Sequence, residues 1–209
     1  MDNTVGSRVS CNEILTKRQT AIIIGSLLGD GCLEKRENGV RLRLDHGFKQ
    51  KDYLFWKHQE LKNIAGKILR VNYYHKGHNK FYENYRFSTL TSKLLSIFWK
   101  KFYRNGNKIV PKNICKLLTE PIALAIWHMD DGYKRNDCNA LRLNTDSFSR
   151  SEQDFLRNAL EKNFGIKTKV HKKGGYWNIY IPEKESKKFV DLVKPYIHNT
   201  LNYKIALTP

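Results

Sequence analysis

The sequence predicts an α+β protein made of two αββαββα halves, each built on an antiparallel sheet and related to the other by a pseudo-twofold axis. Two observations carry this. Four segments of the first half recur in the same order about a hundred residues later, and helix-period runs alternate with short period-two runs in both halves. The pairs are IIIGSLLGDG (22–31) with ALAIWHMDDG (123–132), and RLRLDHGFKQKDYLFW (41–56) with LRLNTDSFSRSEQDFL (141–156). LTSKLLSIFWKKFY (90–103) pairs with PEKESKKFVDLVKPYI (182–197), and GNKIVP (106–111) with NYKIAL (202–207). The connection falls near Pro111-Lys112-Asn113, which divides the chain into residues 1–113 and 114–209.

The first half opens with a helix over 16–29, whose small residues Ala21, Gly25 and Gly29 form a stripe at every fourth position. Such a stripe admits a second helix at close range. Strands are expected over 31–36 and 39–45, joined by Asn38-Gly39, a two-residue hairpin signal. A helix over 51–66 follows, with Phe55, His58, Leu61 and Ile64 or Ala65 at helix spacing. Strands over 69–75 and 81–88 and a helix over 90–103 complete the unit. The second half repeats the order: helix 121–131, strands 132–136 and 139–145, helix 150–163, strands 167–172 and 176–181, helix 183–196. Pro195 should end or kink the last helix.

Alternation assigns the strand faces. Arg41, Arg43 and Asp45 oppose Leu42 and Leu44; Arg142, Asn144 and Asp146 oppose Leu141, Leu143 and Thr145; Tyr176, Asn178 and Tyr180 oppose Trp177, Ile179 and Ile181. One face packs on helices and the other is polar and basic.

Lys plus Arg is 38 against 20 Asp plus Glu, a formal charge of +18. An excess of that size favours a polyanion partner, and a basic sheet suits the major groove of DNA. With 40% hydrophobic residues the composition is not that of a disordered chain. There is no apolar run long enough to span a membrane, and the polar start lacks the apolar core of a signal peptide. Cys11, Cys32, Cys115 and Cys138 show no metal-binding or disulfide spacing, which points to a reducing, intracellular setting.

The first and fourth helices both run into Asp-Gly. Gly31 and Gly132 suit a helix end, but Asp30 and Asp131 sit where the helix dipole disfavours negative charge, so something positive should compensate. If the two helices pack together, the two carboxylates meet near the pseudo-twofold axis. Paired carboxylates call for a cation between them, and Mg²⁺ takes one or two carboxylates together with phosphate and water. That arrangement suits phosphodiester hydrolysis on two antiparallel strands.

GSLLGDG (25–31) and LAIWHMDDG (124–132) resemble the two signature motifs of the LAGLIDADG homing endonucleases in their monomeric, two-motif form. The motifs are read as 23–31 and 124–132, and the resemblance spans roughly residues 15–205. It implies a DNA-binding saddle of two sheets joined by the packed motif helices. It further implies site-specific cleavage of a long asymmetric double-stranded target, leaving short 3′ overhangs. It makes Asp30 and Asp131 the catalytic metal ligands, and gives Gly29 and Asp130 the role of backbone ligands. Lys108 and Lys204, matched in the repeat, would face the scissile phosphate or the attacking water. His46, Gln50 and Asp146 are candidates for ordering water. Mn²⁺ is expected to substitute for Mg²⁺, and Ca²⁺ to bind without supporting cleavage. The second motif departs from the first by carrying Ile126 and Asp130 in place of Gly25 and Gly29, which leaves the close helix contact to Ala125 and the first helix's glycines. His128 and Trp127 read as core.

The basic and aromatic hairpins supply candidate DNA contacts. They are Lys35, Arg36, Arg41, Arg43, Tyr74, His75, Lys76, Lys80, Tyr85 and Arg86 in the first half. In the second they are Lys134, Arg135, Arg142, Asn144, Lys169, His171, Lys172, Asn178 and Tyr180. The leading expectation is a monomeric endonuclease from an intron or similar mobile element, in an organelle or a bacterial cytoplasm. The alternatives are an intron RNA maturase and a non-cutting DNA-binding protein on the same scaffold.

Overall fold

The computed structural model describes residues 14–208 apart from the side chain of Lys173; Cys11 lies outside this range. The two halves have matching architecture. Helix α1 (Lys17–Leu28) leads into β1 (Cys32–Arg36), β2 (Gly39–Gly47), α2 (Lys51–Glu60), β3 (Leu69–His75), β4 (Lys80–Ser88) and α3 (Ser96–Phe102). A small hairpin, β5 (Tyr103–Arg104) and β6 (Asn107–Lys108), follows. The second half comprises α4 (Pro121–Asp131), β7 (Gly132–Lys134), β8 (Leu141–Leu143), α5 (Arg150–Phe164), β9 (Lys169–Lys173), β10 (Tyr176–Ile181) and α6 (Glu183–Val193). The sheets have the orders β1-β2-β4-β3 and β7-β8-β10-β9, antiparallel throughout.

Local chemistry explains the helix boundaries. Thr16 and Gln19 form a capping box at the start of α1, and Ser149 and Glu152 do the same for α5. Pro121 occupies the first turn of α4, and Gly165 closes α5 in the left-handed region at φ 65°. Pro195 ends α6 as expected, by tightening its last residues into a 3₁₀ turn over Lys194–Tyr196.

Helices α1 and α4 pack against each other through the small residues of α1. A Cβ at Gly25 would meet the carbonyl oxygen of Ala123 at 2.4 Å and Cβ of Ile126 at 2.8 Å. The partners facing Gly25 are therefore Ala123 and Ile126 rather than Ala125. Gly25→Ala should lower stability by about 2–3 kcal/mol, read by urea unfolding, because the obstructing atom is backbone and cannot rotate away. Trp127 and His128 are fully buried; Nε2 of His128 lies 3.1 Å from the Lys204 carbonyl and its ring packs on Phe189.

Several elements are shorter than the periodicity suggests. Helix α2 stops at Glu60 rather than 66, because Ile64 and Gly66 are drawn to the sheet: the Ile64 carbonyl accepts from Leu90, and the Gly66 N–H donates to Ser88. Its buried face is Tyr53, Leu54 and Lys57, continued by Leu61, whereas Phe55 is 40% exposed and meets Tyr85 edge-on. Residues 90–95 are not helical, since Ser92 bridges to Val40 and holds the chain against the sheet. Strand β8 is confined to Leu141–Leu143, although the Asn144 N–H still donates to the carbonyl of Asp131 in the register of the β7–β8 pair. The β5–β6 hairpin escapes hydrophobic periodicity altogether; Asn105 and Gly106, both at positive φ, make its turn.

Candidate active site

Asp30 and Asp131 stand at the ends of the paired helices α1 and α4, and the positive charge their position requires is present. Nζ of Lys108, on β6, donates to the carbonyls of Gly29 at 2.7 Å and Gly31 at 3.1 Å. Nζ of Lys204 donates to those of Met129 at 2.6 Å and Asp130 at 3.2 Å. Each lysine thus satisfies the orphan carbonyls at one helix end and offsets its dipole. Burial lowers both ammonium pKa values, against the opposing pull of the aspartates. Lys204→Ala should cost about 1–3 kcal/mol by urea unfolding, because its carbonyls lose a donor in a buried place.

The carboxylates respond to being crowded. Burial, then the charge of Asp130, raises the Asp30 pKa, although 41% of its side chain is exposed and water screens part of the effect. Asp131 is pushed up to about 7 by burial and by the charges of Asp30 and Asp130. Two acids held above their ordinary range at one place form a cation-seeking site. The donors on offer, carboxylates and the helix-end carbonyls of Gly29 and Asp130, are all oxygens. Each carbonyl that accepts from a lysine keeps a second lone pair. The set fits a hard divalent ion.

Asp130 does something the sequence did not suggest. Its carboxylate crosses from α4 into the first half, where no part of the side chain is exposed. Nζ of Lys57 reaches its two oxygens at 2.6 and 2.9 Å, and the Tyr53 hydroxyl donates to Oδ1 at 2.8 Å. A Cβ at Gly29 would lie 2.5 Å from Cβ of Asp130, so glycine there makes the crossing possible. Asp30, His46 and Asp130 do offer atoms within 4.8 Å of one another. The Asp130 oxygens, however, already serve Lys57 and Tyr53, which marks the trio as an ion-pair network rather than a three-ligand cage.

The water-ordering candidates divide. His46 is buried, with Nδ1 at 3.0 Å from Oε1 of Gln50 and 3.7 Å from Oδ2 of Asp30. Burial, then the Lys57 charge, lowers its pKa to about 4. Asp146 is exposed, and among the described residues no hydrogen bond ties it to the cluster. The strand registers Gly132↔Leu143 and Cys32↔Arg43 instead set Thr145 opposite His46, and Thr145 is buried and bonded to Gln153.

Register also sorts the candidate DNA contacts. Arg36, Arg41, Arg43, His75, Lys80 and Arg86 share the sheet face turned from the core in the first half. Arg142, Asn144, Lys169, His171, Asn178 and Tyr180 share it in the second. Lys76 and Arg135 lie in the connecting turns. Glu34 gathers Arg36, Arg41 and Arg43, and Asp45 holds Arg86, so these guanidiniums are oriented in advance. Other residues fall on the opposite face by the same alternation. Lys35 is opposite Val40, Lys134 opposite Leu141, and Lys172 pairs with Trp177. Tyr74 pairs with Phe81, and Tyr85 packs against Phe48 and Phe55. Arg142 and Asn178 point to the polar face yet are only 9% and 5% exposed, bonded to each other at 3.4 Å.

Comparison with known proteins settles the family. Residues 20–189 match the model of the LAGLIDADG DNA endonuclease family. The chain belongs to that family. This LAGLIDADG chain is 33% identical to the DNA endonuclease I-ChuI of Chlamydomonas applanata, over 92% of its own length and 96% of the relative's. It is 31% identical to the cytochrome b mRNA maturase bI2 of Debaryomyces hansenii, over 95% of its length and 77% of that protein. Several other curated relatives are about twice as long, so that the chain spans 50% of them. A solved structure, the homing endonuclease I-WcaI bound to its DNA recognition sequence, superposes with a TM-score of 0.86 at 25% identity, covering 93% of this chain and 88% of that one. Among the described residues no helix is long and apolar enough to cross a membrane.

Lys57 and Tyr53 were invisible to motif reading, because they lie outside both signatures of this LAGLIDADG chain. A signal existed: Lys57 stands four residues after Tyr53 and four before Leu61, in the middle of an otherwise apolar helix face.

Proposed function

We propose that this chain is a site-specific endonuclease that hydrolyses one phosphodiester in each strand of a long asymmetric DNA target and leaves short 3′ overhangs. The observation that carries the reading is the pair of crowded carboxylates, Asp30 and Asp131, at the ends of two packed helices between two basic sheets. Asp30 and Asp131, with the carbonyls of Gly29 and Asp130, would hold Mg²⁺. Mn²⁺ would substitute for it, and Ca²⁺ would bind without supporting cleavage. The bound ion would supply an activated water and stabilise the leaving oxygen. Lys108 and Lys204 each spend two donors on helix-end carbonyls and keep a third for phosphate or water. His46 and Gln50 would order water in the first half. The fixed arginines of β1, β2 and β4 would grip the major groove, with the chain acting as a monomer.

The test is a plasmid carrying the uninterrupted target. Asp30→Asn should abolish double-strand cleavage with Mg²⁺ while target binding persists; undiminished cutting would overturn the assignment. Binding should weaken steeply between about 50 and 200 mM salt, by a factor of about a thousand or more if six or more phosphates are neutralised. Fluorescence anisotropy at several salt concentrations checks this.

The similarity to a maturase favours a second reading, assistance to the folding of a host intron RNA in an organelle. Splicing assays separate the two, because a maturase function would survive Asp30→Asn. A non-cutting DNA-binding role predicts binding with no cleavage under any divalent ion.

A further inference from the structure

One break in the repeat, Asp130 where the first half has Gly29, lies in the centre of the molecule and makes the two sites chemically different. In the first half, Nζ of Lys57 lies 2.6 and 2.9 Å from the oxygens of Asp130 and 3.3 Å from Nε2 of His46. It is wholly buried, with the Tyr53 ring 4.4 Å below it. An ammonium has three protons and no lone pair. All three have acceptors here: two on the carboxylate, one on the imidazole. Nε2 of His46 must therefore be the bare nitrogen, and the ring proton sits on Nδ1. That N–H donates to Oε1 of Gln50 and lies 3.7 Å from Oδ2 of Asp30.

The second half has none of these parts. Gly29 stands where the repeat has Asp130, and Thr145 stands opposite His46 by strand register. Leu156 lies as far beyond Thr145 as Lys57 lies beyond His46, and it is fully buried. Thr145 donates to Gln153 at 2.7 Å, and Gln153 returns a bond to the Thr145 carbonyl at 2.8 Å. That pair is neutral, and its remaining bonds go to the backbone carbonyls of Phe148 and Trp177.

We propose that Lys57, anchored by Asp130, is a positioning residue for the Asp30 site alone: it fixes His46 in the Nδ1–H form, presenting a donor rather than a lone pair to Gln50 and Asp30, so that cleavage of one of the two strands depends on it. In this form His46 is a hydrogen-bond donor in the site, neither a metal ligand nor a base. Its N–H steadies the side chains that would hold the attacking water, while the Asp131 site works without such a device. The inference rests on the endonuclease reading for its kinetic part and on geometry alone for its tautomer part.

The test uses the full chain and two readouts. Lys57→Met leaves Asp130 buried without its partner, so the decisive variant is Lys57→Met/Asp130→Asn, which removes both charges together. On a duplex target labelled separately on each strand, with Mg²⁺, the double variant should slow the cutting of one strand at least tenfold more than the cutting of the other. Nicked circles should then accumulate from a supercoiled plasmid. Long-range ¹⁵N–¹H spectra of the parent should show His46 protonated at Nδ1, and the double variant should lose that preference. Equal slowing of both strands, or no slowing of either, overturns the proposal; so does a His46 tautomer that ignores the substitution. If the parent cuts neither strand, the endonuclease reading falls, and the spectra still decide whether Lys57 sets the tautomer.

Discussion

Asp131→Asn should abolish double-strand cleavage and, with no divalent ion present, yield a protein more stable than the parent at pH 8. Loss of the carboxylate removes one side of the cation site, and a fall in rate of at least about a thousandfold, or roughly 4 kcal/mol, is expected. The stability gain follows from the raised pKa. In the folded protein Asp131 holds its proton up to about pH 7, whereas an unfolded aspartate releases it near 3.8. Below the lower value the group contributes its full stability. As pH rises through the folded pKa that contribution is lost, because the native state must then carry a crowded negative charge. Asparagine carries no such charge. The difference at pH 8 should be about 2 kcal/mol, once screening at a half-buried site is allowed for. Thermal unfolding in EDTA at pH 5 and pH 8 checks this. The variant's advantage should be clear at pH 8 and shrink at pH 5. Divalent ion should stabilise the parent more than the variant at pH 8. Equal stability of parent and variant at pH 8 would mean that Asp131 is not crowded.

Asp130→Asn, one residue away, should fail in the opposite manner. Its carboxylate and the Lys57 ammonium are both fully buried, and the substitution leaves the ammonium without a counter-charge and the Tyr53 hydroxyl with a weaker acceptor. Breaking such a pair from one side costs about 3–5 kcal/mol. Urea unfolding should show a large loss for Asp130→Asn. Lys57→Met/Asp130→Asn should recover much of it, since a neutral pair of similar volume carries no stranded charge. A loss under about 1 kcal/mol for Asp130→Asn would contradict the buried pair. The adjacent aspartates thus have different surroundings: the Asp131 carboxylate stands at the crowded helix ends, whereas the Asp130 carboxylate is locked in a buried ion pair with Lys57.

The sequence made much of the fold legible. The repeat, the helices ending in Asp-Gly, the strand pairs and the Ala21–Gly25–Gly29 stripe all lie where patterning put them, because each expresses a local rule of period or sterics. What escaped was set by contacts between distant segments. Ile64 and Gly66 are taken by the sheet, so α2 stops early, and Ser92 is held by Val40, so residues 90–95 cannot coil. The partner of Lys57 is Asp130, which comes from the other half and so lies beyond any local pattern around α2. In the sequence Asp130 has only a backbone role beside Asp131, with no hint of where its carboxylate goes. Strand alternation would have moved Tyr85 and Lys172 off the polar face had it been applied to the hairpins as strictly as to β2.

The Gly29–Asp130 mismatch constrains how this chain could have changed since its halves were copies. A molecule assembled from two second halves would bring two position-130 carboxylates together with no Lys57 to receive either. One assembled from two first halves would bury two lysines with no acid to meet them. Each half has become the obligate complement of the other, so exchange of whole halves between relatives should succeed only when the lysine and its aspartate travel as a matched set.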